Sequence, residues 1–504
     1  MTTPAHHLSL KERNYIIGSA LLALFLGALD ALIMSAAMPS IVAELGGLHL
    51  YAWVYSAYFL SRAVSLPIFG KLADLYNTRN LFLISIALFL ISSIAAGTAQ
   101  SMTFLIFCRV FQGIGAGGNF ALVYIVLSDA APPDKRAKTL SLASSVWGIS
   151  SIIGPTLGGF IVSYLSWRWI FFINVPMGIF CLAGIGLYLK ESRQKRTSGI
   201  SLDLAGLGLF SGFILGLLII FITGGRELAW ISIEMTLLTM LTTILGLLFY
   251  VVEKKAENPL IDMRFFRNPN FVFGNTAVFF SSFTIFSFFA YAPLYIQGSL
   301  GLSPMQVGLA MVSLSLGWSF GSLFIGRILH RSGSKRGAVS GGLILLVGSL
   351  LTLRFDVQTT MLECFVVFLI MGLGMGFVTL STLILVQNSA ESEDLGIVTS
   401  LHQFGRSLGG TIGVGLCGGL VTNRLLDNLE KTAQVLPPSV IKQLNESIEN
   451  ILRPEFQSLL SPPAMEGVRV SVFSGVYAVF IIAVASSFLC LLCGLLISEK
   501  KVKI

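Results

Sequence analysis

Gly70-Lys-Leu-Ala-Asp74-Leu-Tyr-Asn-Thr-Arg79-Asn80 and Gly326-Arg-Ile-Leu-His330-Arg-Ser-Gly-Ser-Lys335-Arg336 are two copies of one pattern. Each follows an apolar run. Each places glycine first (Gly70, Gly326), a cation second (Lys71, Arg327) and another cation tenth (Arg79, Lys335). The second copy has His330 where the first has Asp74. The copies stand 256 residues apart in a chain of 504. A duplication at half the chain length predicts two similar halves in parallel, and the flanking sequence says what has been duplicated.

Apolar types make up 54% of the chain and charged types 12%, about half the charge usual for a soluble domain. That excludes a soluble enzyme, a disordered chain and a nucleic-acid-binding domain. A bilayer core needs about 20 mostly apolar helical residues. Fourteen runs meet that need, from 16–38 to 471–497. The fold class expected is an all-α integral membrane protein with 14 transmembrane helices. With the N-terminus in the cytoplasm, cytoplasmic segments hold 22 of the 33 basic residues, so both termini are expected inside. The formal net charge of +8 then reports topology and not a nucleic-acid partner.

Parallel internal repeats build many secondary transporters. Fourteen spans with this repeat divide into an N-terminal six-helix bundle (1–192), two additional helices (203–252) and a C-terminal six-helix bundle (271–504). The 48 residues 423–470 form an external loop. Within it Val440, Ile441, Leu444, Ile448, Ile451 and Leu452 recur at helical spacing. They suggest a short amphipathic helix on the outer surface, with a plain solvated loop as the alternative.

Charges within spans are expensive and are functional candidates by default. Four stand out: Asp30, Arg62, Arg109 and Arg406. Asp30 is eight residues from the outer end of its run and Arg109 five, about 12 and 8 Å deep at 1.5 Å per residue. An ion pair between them is expected if helices one and four face each other. A lone deep carboxylate, pulled one way by burial and the other by a cation, suits proton coupling. A pair that only holds the helices together is the structural alternative. Arg62 and Arg406 fall near the midplane. Three arginines against one aspartate leave a shared cavity at +2, which favours an anionic or amphiphilic substrate over a simple lipophilic cation.

Gln112 and Gly113 share nearby faces of their helix with Arg109, and Asn119 follows two turns on. Gln112, Asn119, His402 and Arg406 join Arg62 as candidate cavity residues. His402 and Arg406, four apart, lie on one face. Gly148, Gly154, Gly158 and Gly159 leave helix five bare, and Pro155 bends it; the motif is either generic packing or a determinant of closure. Gly70, Asp74 and Arg79 are expected in a cytoplasmic turn acting as a conformational latch. The six cysteines lie in apolar runs and read as small buried hydrophobes. No metal site and no cofactor are expected, and metalloprotease, nucleophile-elbow and ATP motifs are missing, so an enzyme is not expected.

Together these motifs resemble the major facilitator superfamily, and within it the fourteen-span drug:proton antiporters of the EmrB/QacA type. Gly70 to Arg79 resembles the superfamily loop motif, with Asn77 and Thr78 departing from its usual Gly and Arg. Leu29-Asp30 through Met38-Pro39 resembles the first-helix motif, whose Asp is implicated in coupling. Arg109 with Gln112-Gly113 resembles the motif whose Arg is linked to proton transfer. Gly148 to Gly159 resembles the helix-five signature of exporters, and Trp169 to Gly178 and Gly225 to Trp230 resemble the EmrB branch. The resemblance implies the major facilitator fold, alternating access, a small-molecule substrate exchanged for protons across the lipid bilayer, and residence in the cell (inner) membrane. In the EmrB branch it also implies a periplasmic adaptor protein as partner. A dedicated exporter of one lipid, siderophore or natural product shares every motif. An importer or proton symporter of the same fold is the other alternative, against which the helix-five glycines speak.

Overall fold

Long apolar runs with glycine, serine and threonine interspersed have one way to satisfy their backbone away from water, which is to close every hydrogen bond within a helix. The computed structural model describes residues 9–130, 136–189, 204–225, 228–256, 259, 261, 263–389, 395–432 and 461–498, some helical residues by backbone alone. Apart from an isolated bridge between Gly224 and Leu228, the regular structure among them is helical. The long helices are α1 (Leu10–Leu45), α2 (Tyr51–Leu75), α3 (Thr78–Gly97), α4 (Met102–Ala130), α5 (Arg136–Tyr164) and α6 (Trp169–Tyr188, stepping at Ile173). They continue as α7 (Leu204–Thr223), α8 (Ile233–Lys255), α9 (Pro269–Leu294), α10 (Pro304–Ser332) and α11 (Ser334–Thr352). The last three are α12 (Met361–Asn388), α13 (Leu395–Thr432) and α14 (Pro462–Leu496). Nine of these are long and apolar enough to cross a membrane by length and composition.

Local chemistry sets several ends. Ser9 and Glu12 form a capping box that starts α1, and Ser303 with Gln306 does the same for α10. Gly333, at φ +80°, turns α10 directly into α11. Interior hydroxyls are satisfied locally: Ser35, Ser61, Ser65 and Thr411 each donate to a carbonyl three or four residues back. Outward, large apolar side chains are bare, with Ile91 66%, Phe180 70% and Leu187 72% exposed. An apolar belt around a core rich in serine is the surface of a multi-pass membrane protein.

The first and last six helices pack in the same pattern. Contacts α1–α5, α2–α4, α3–α4, α1–α6 and α3–α6 recur as α9–α13, α10–α12, α11–α12, α9–α14 and α11–α14. Between the two groups, α5 packs on α10 and α2 on α13, which are equivalent contacts under exchange of the halves. The helices α7 and α8 pack on each other, and α7 rests on α2 and α13.

The 256-residue offset of the loops extends into the packing. A Cβ on Gly115 would meet Ser85 and Phe89 of α3, and one on Gly374 would meet Gly341 and Leu345 of α11. Along α4 the offset becomes 259: Gly113 and Gly117 lie against α2 as Gly372 and Gly376 lie against α10. A longer connection before α12 (353–360) than before α4 (98–101) accounts for the change. A Cβ at Gly113 would run into the Tyr58 carbonyl oxygen and the Ser61 hydroxyl. Gly113→Val is therefore expected to cost about 1–3 kcal/mol by overpacking, read as a lower melting temperature in detergent.

Three boundary expectations need correction. Gly70 and Asp74 lie in the last turns of α2, and Arg79 lies in the first turn of α3. The turn proper is only Tyr76–Asn77, because nothing before it breaks the helix and Asn77 accepts from the Asn80 N–H at 3.0 Å to cap α3. Second, α1 runs through Pro39 to Leu45, since a helix end left in apolar surroundings would strand its carbonyls. Asp30 is thus about 22 Å from the end of its helix and Arg109 about 10 Å from the start of α4. Third, 423–432 and 462–470 are helical continuations of α13 and α14 and not loop. The amphipathic stretch within 440–452 lies outside the described residues, as do the side chain of Asp74 and the surroundings of Gly148.

Candidate functional site

We call the end where α1 begins the near end and the end where it finishes the far end. Arg109 and Gln112 are three apart on α4, so both turn toward α1. Arg109 donates to Asp30 Oδ2 at 2.6 Å, and both residues are 1% exposed. The same arginine nitrogen donates to Gln112 Oε1 at 2.8 Å, while Gln112 Nε2 donates to Asp30 Oδ1 at 2.8 Å. The three side chains close a ring. Asn174 of α6 donates to Ser93 Oγ of α3 at 3.0 Å and reaches Asp30 Oδ1 at 3.5 Å. Gln112 also donates to Ser93, which donates onward to the Phe171 carbonyl at 2.9 Å. From α2, the Val54 carbonyl accepts from Arg109 Nε at 3.4 Å, and the Tyr58 ring lies 4.0 Å beneath the guanidinium. Five helices of the first half meet at one carboxylate.

Protonation would change both bonds that the ring makes to Asp30. An ionised Asp30 accepts from three residues; a protonated one becomes a donor and withdraws the charge that Arg109 faces. Arg109 would then be a buried cation without its counter-ion, the situation proteins avoid most strongly. The arrangement can therefore convert one proton into a change in how α1, α4 and α6 hold together. Among the described residues the second half has no such ring. Under the 259-residue offset Phe368 stands for Arg109 and Met371 for Gln112, and Phe368 packs on the rings of Phe288 and Phe355.

Arg62 lies one turn beyond Tyr58 on α2 and is 3% exposed. Its guanidinium sits over the Phe59, Phe120 and Tyr58 rings at 4.9, 5.1 and 5.6 Å. It donates across the seam between the halves to Ser407 Oγ of α13 at 3.4 Å, and its Nη1 has no partner. Arg406 (7% exposed) stands over the Trp318 ring at 5.8 Å. His402 is buried one turn earlier, with Nε2 bonded to Thr382 Oγ1 at 3.0 Å and Nδ1 unpartnered. The structure thus brings Arg62 across the seam to Ser407, the neighbour of Arg406, while the bond of His402 to Thr382 stays within the second half. Gln112 it brings instead to Asp30, and Asn119 to Ser85, whose hydroxyl donates to it at 2.7 Å.

In helix five the glycines face two ways. Gly154 and Gly158 lie against Leu32 and Ile33 of α1, whereas Gly159 faces Gly308 of α10 in the other half, and Gly308 meets the Pro155 carbonyl. This crossing is toward the far end. There Tyr51 also donates to the Ala290 carbonyl and stacks on Tyr291 at 5.4 Å. At the near end Arg79 donates to the Gly186 carbonyl of α6, a contact within the first half. Gly70 has open space around it.

Sequence reasoning passed over Tyr58, Ser93 and Ser407, and singled out Asn174 only for its family likeness. It also passed over Glu253, which is buried at the end of α8 and accepts from the Ile261 N–H at 2.5 Å. The spacing of Tyr58 to Arg62, one helical turn, was the available signal for the tyrosine.

Comparison with known proteins fits this geometry. The Major Facilitator Superfamily family model matches residues 20–203 and 185–414. The chain is 34% identical to the multidrug transporter protein MdtP of Bacillus subtilis, over 97% of this chain and 95% of that one. It is 33% identical to multidrug resistance protein 3 of the same organism, over 85% and 83%. The structure resembles that of a bacterial homologue of the human lysosomal transporter Spinster, inward-facing and unoccupied. The TM-score is 0.67 at 15% identity, covering 97% of this chain and 98% of that one.

Proposed function

The chain belongs to the major facilitator superfamily, in its drug-efflux family, and on that premise we propose that it is a proton-coupled antiporter. It exports drugs and other hydrophobic or amphiphilic small molecules from the cytoplasm by alternating access. All fourteen long helices span the cell (inner) membrane, with the near end and both termini cytoplasmic. They divide into the bundles 1–192 and 271–504 with 203–252 between them. The basic-residue count and the repeated packing of the two sets of six support that division.

One observation carries the reading: a carboxylate with 1% exposure, held by Arg109, Gln112 and Asn174 from two neighbouring helices, deep in an apolar chain. Protonation of Asp30 releases Arg109 and loosens the ring. Loss of the proton to the cytoplasm restores it. Substrate occupies the seam lined by Arg62, His402 and Arg406. The far end closes where Gly159 meets Gly308 and opens when the bundles rock apart. The Gly70, Asp74 and Arg79 segment ties α2 to α3 at the near end and moves with the first bundle.

The test is transport in proteoliposomes under an imposed pH gradient, with a fluorescent lipophilic drug panel. Acidifying the side facing the far end is expected to drive substrate toward that side, with protons moving the opposite way. Substrate flux indifferent to the gradient would remove proton coupling. Substrate and protons moving together would establish the symporter instead.

A further inference from the structure

Arg62 and Arg406 are joined by a row of rings that crosses the seam between the bundles. Arg62 lies over Phe59; Phe59 meets Phe286 of α9 edge-on at 5.2 Å; Phe286 meets Trp318 of α10 at 6.4 Å; Arg406 lies over Trp318. Ser407, to which Arg62 donates, is the next residue after Arg406 on α13. Cations are costly to bury, and Arg62 is buried with Nη1 unbonded and with aromatic faces and one serine hydroxyl for company. Among the described residues the buried carboxylates are Asp30, which is bonded to Arg109, and Glu253, which binds the Ile261 N–H at the end of α8. His402 adds a second unpartnered buried nitrogen beside Arg406.

We propose that Arg62 binds the anionic head of an aromatic amphiphile whose apolar body lies against the Phe59–Phe286–Trp318 row, at the other end of which Arg406 stands. The proposal rests on the export reading above and names its substrate class. A carboxylate or sulfonate presents two oxygens to the fork of a guanidinium, so it satisfies the free Nη1 in a way that an amide oxygen does only in part. Two like charges at the ends of an apolar wall repel an ammonium head. The rings give the body a stacking surface of matching shape, since aromatic faces accept offset or edge-on partners without directional bonds. Trp318 occupies on α10 the place that Arg62 occupies on α2, by the 256-residue offset of the repeat. One bundle thus supplies the fork and its counterpart the ring.

The experiment uses three probes with one body: pyrenebutyrate, its primary amide and the corresponding amine. Binding is followed by pyrene fluorescence in detergent, and transport in proteoliposomes under a pH gradient. The acid is expected to bind wild-type protein at least about ten-fold more tightly than the amide, the low end for a hydrogen bond to a charged group. The amine is expected to bind more weakly still. Arg62→Gln should remove the preference for the acid and leave the amide within about two-fold; Arg62→Lys should restore part of it. Equal affinity for acid, amide and amine in the wild type, or an acid preference untouched in Arg62→Gln, overturns the proposal. If amide and amine move with the gradient and the acid does not, the proposal fails while the export reading stands. An Arg62-dependent acid site with no gradient-driven movement of any probe would sink the antiport reading and leave the site.

Discussion

Asp30→Asn is expected to abolish uphill transport and leave gradient-independent exchange of substrate in place. The asparagine fills the same volume and can still accept from Gln112 Nε2, so the fold is kept while its amide nitrogen, a donor, faces the Arg109 guanidinium. It loses the charge opposite Arg109, which the structure holds at 2.6 Å with 1% exposure. Breaking a buried pair by removing one partner costs about 3–5 kcal/mol. The Gln112 oxygen, the Val54 carbonyl and the Tyr58 face soften that figure, because they stay bonded to the guanidinium. Arg109→Leu is expected to cost a similar amount for the opposite reason. The double variant should be more stable than either single one by melting temperature in detergent, because neither charge is then left alone. A purely structural pair would reproduce the stability pattern. It would not reproduce the loss of coupling in a folded Asp30→Asn protein that still exchanges substrate. Full gradient-driven transport by Asp30→Asn would end the assignment.

What sequence could reveal here follows from what makes a residue conspicuous. Asp30, Arg62, Arg109 and Arg406 stood out because a charge in an apolar run has few explanations. Gln112 followed from helical spacing to Arg109. Ser93 and Tyr58 did not stand out and Asn174 did so only within a family likeness, since serine, tyrosine and asparagine in such helices are ordinary, and their meeting with Asp30 depends on contacts 19 to 144 positions apart. The repeat was legible in the loops at 70–80 and 326–336, and it recurs in the packing of α4 on α2 and α3 and of α12 on α10 and α11. Its shift to 259 along α4 depends on the longer connection before α12, which a motif comparison passes over. Helix ends were read where hydropathy fell. The helices in fact run on through Pro39, Asp74 and Arg424, because a polar residue does not end a helix unless it caps it. The helix-five motif was visible as a run of glycines. Which glycine faces which neighbour was not, and that difference separates packing from gating.

Gly308→Val and Gly159→Val are expected to stop the far end from closing without unfolding either bundle. A Cβ on Gly308 would stand 2.5 Å from the Pro155 carbonyl oxygen and 3.3 Å from the Gly159 Cα. A Cβ on Gly159 would stand 2.8 Å from the Pro304 carbonyl oxygen. These are backbone atoms of the opposite bundle, so no side chain can swing away, and relief comes only when α5 and α10 separate. Overpacking of about 1–3 kcal/mol converts to a population shift of roughly 5- to 150-fold away from the closed far end. Gly158→Val makes the contrast, since its Cβ would meet the Ile33 carbonyl within the same bundle at 2.7 Å and must strain the fold itself. Spin labels at Tyr164 and Leu309, both exposed, should report a longer distance in Gly308→Val than in wild type, with transport below about a tenth of its rate and an unchanged melting temperature. Gly158→Val should instead lower the melting temperature and leave the label distance alone. If Gly308→Val behaved like Gly158→Val, the α5–α10 crossing would be ordinary packing. A widened distance with intact stability would make it the surface on which the two bundles close.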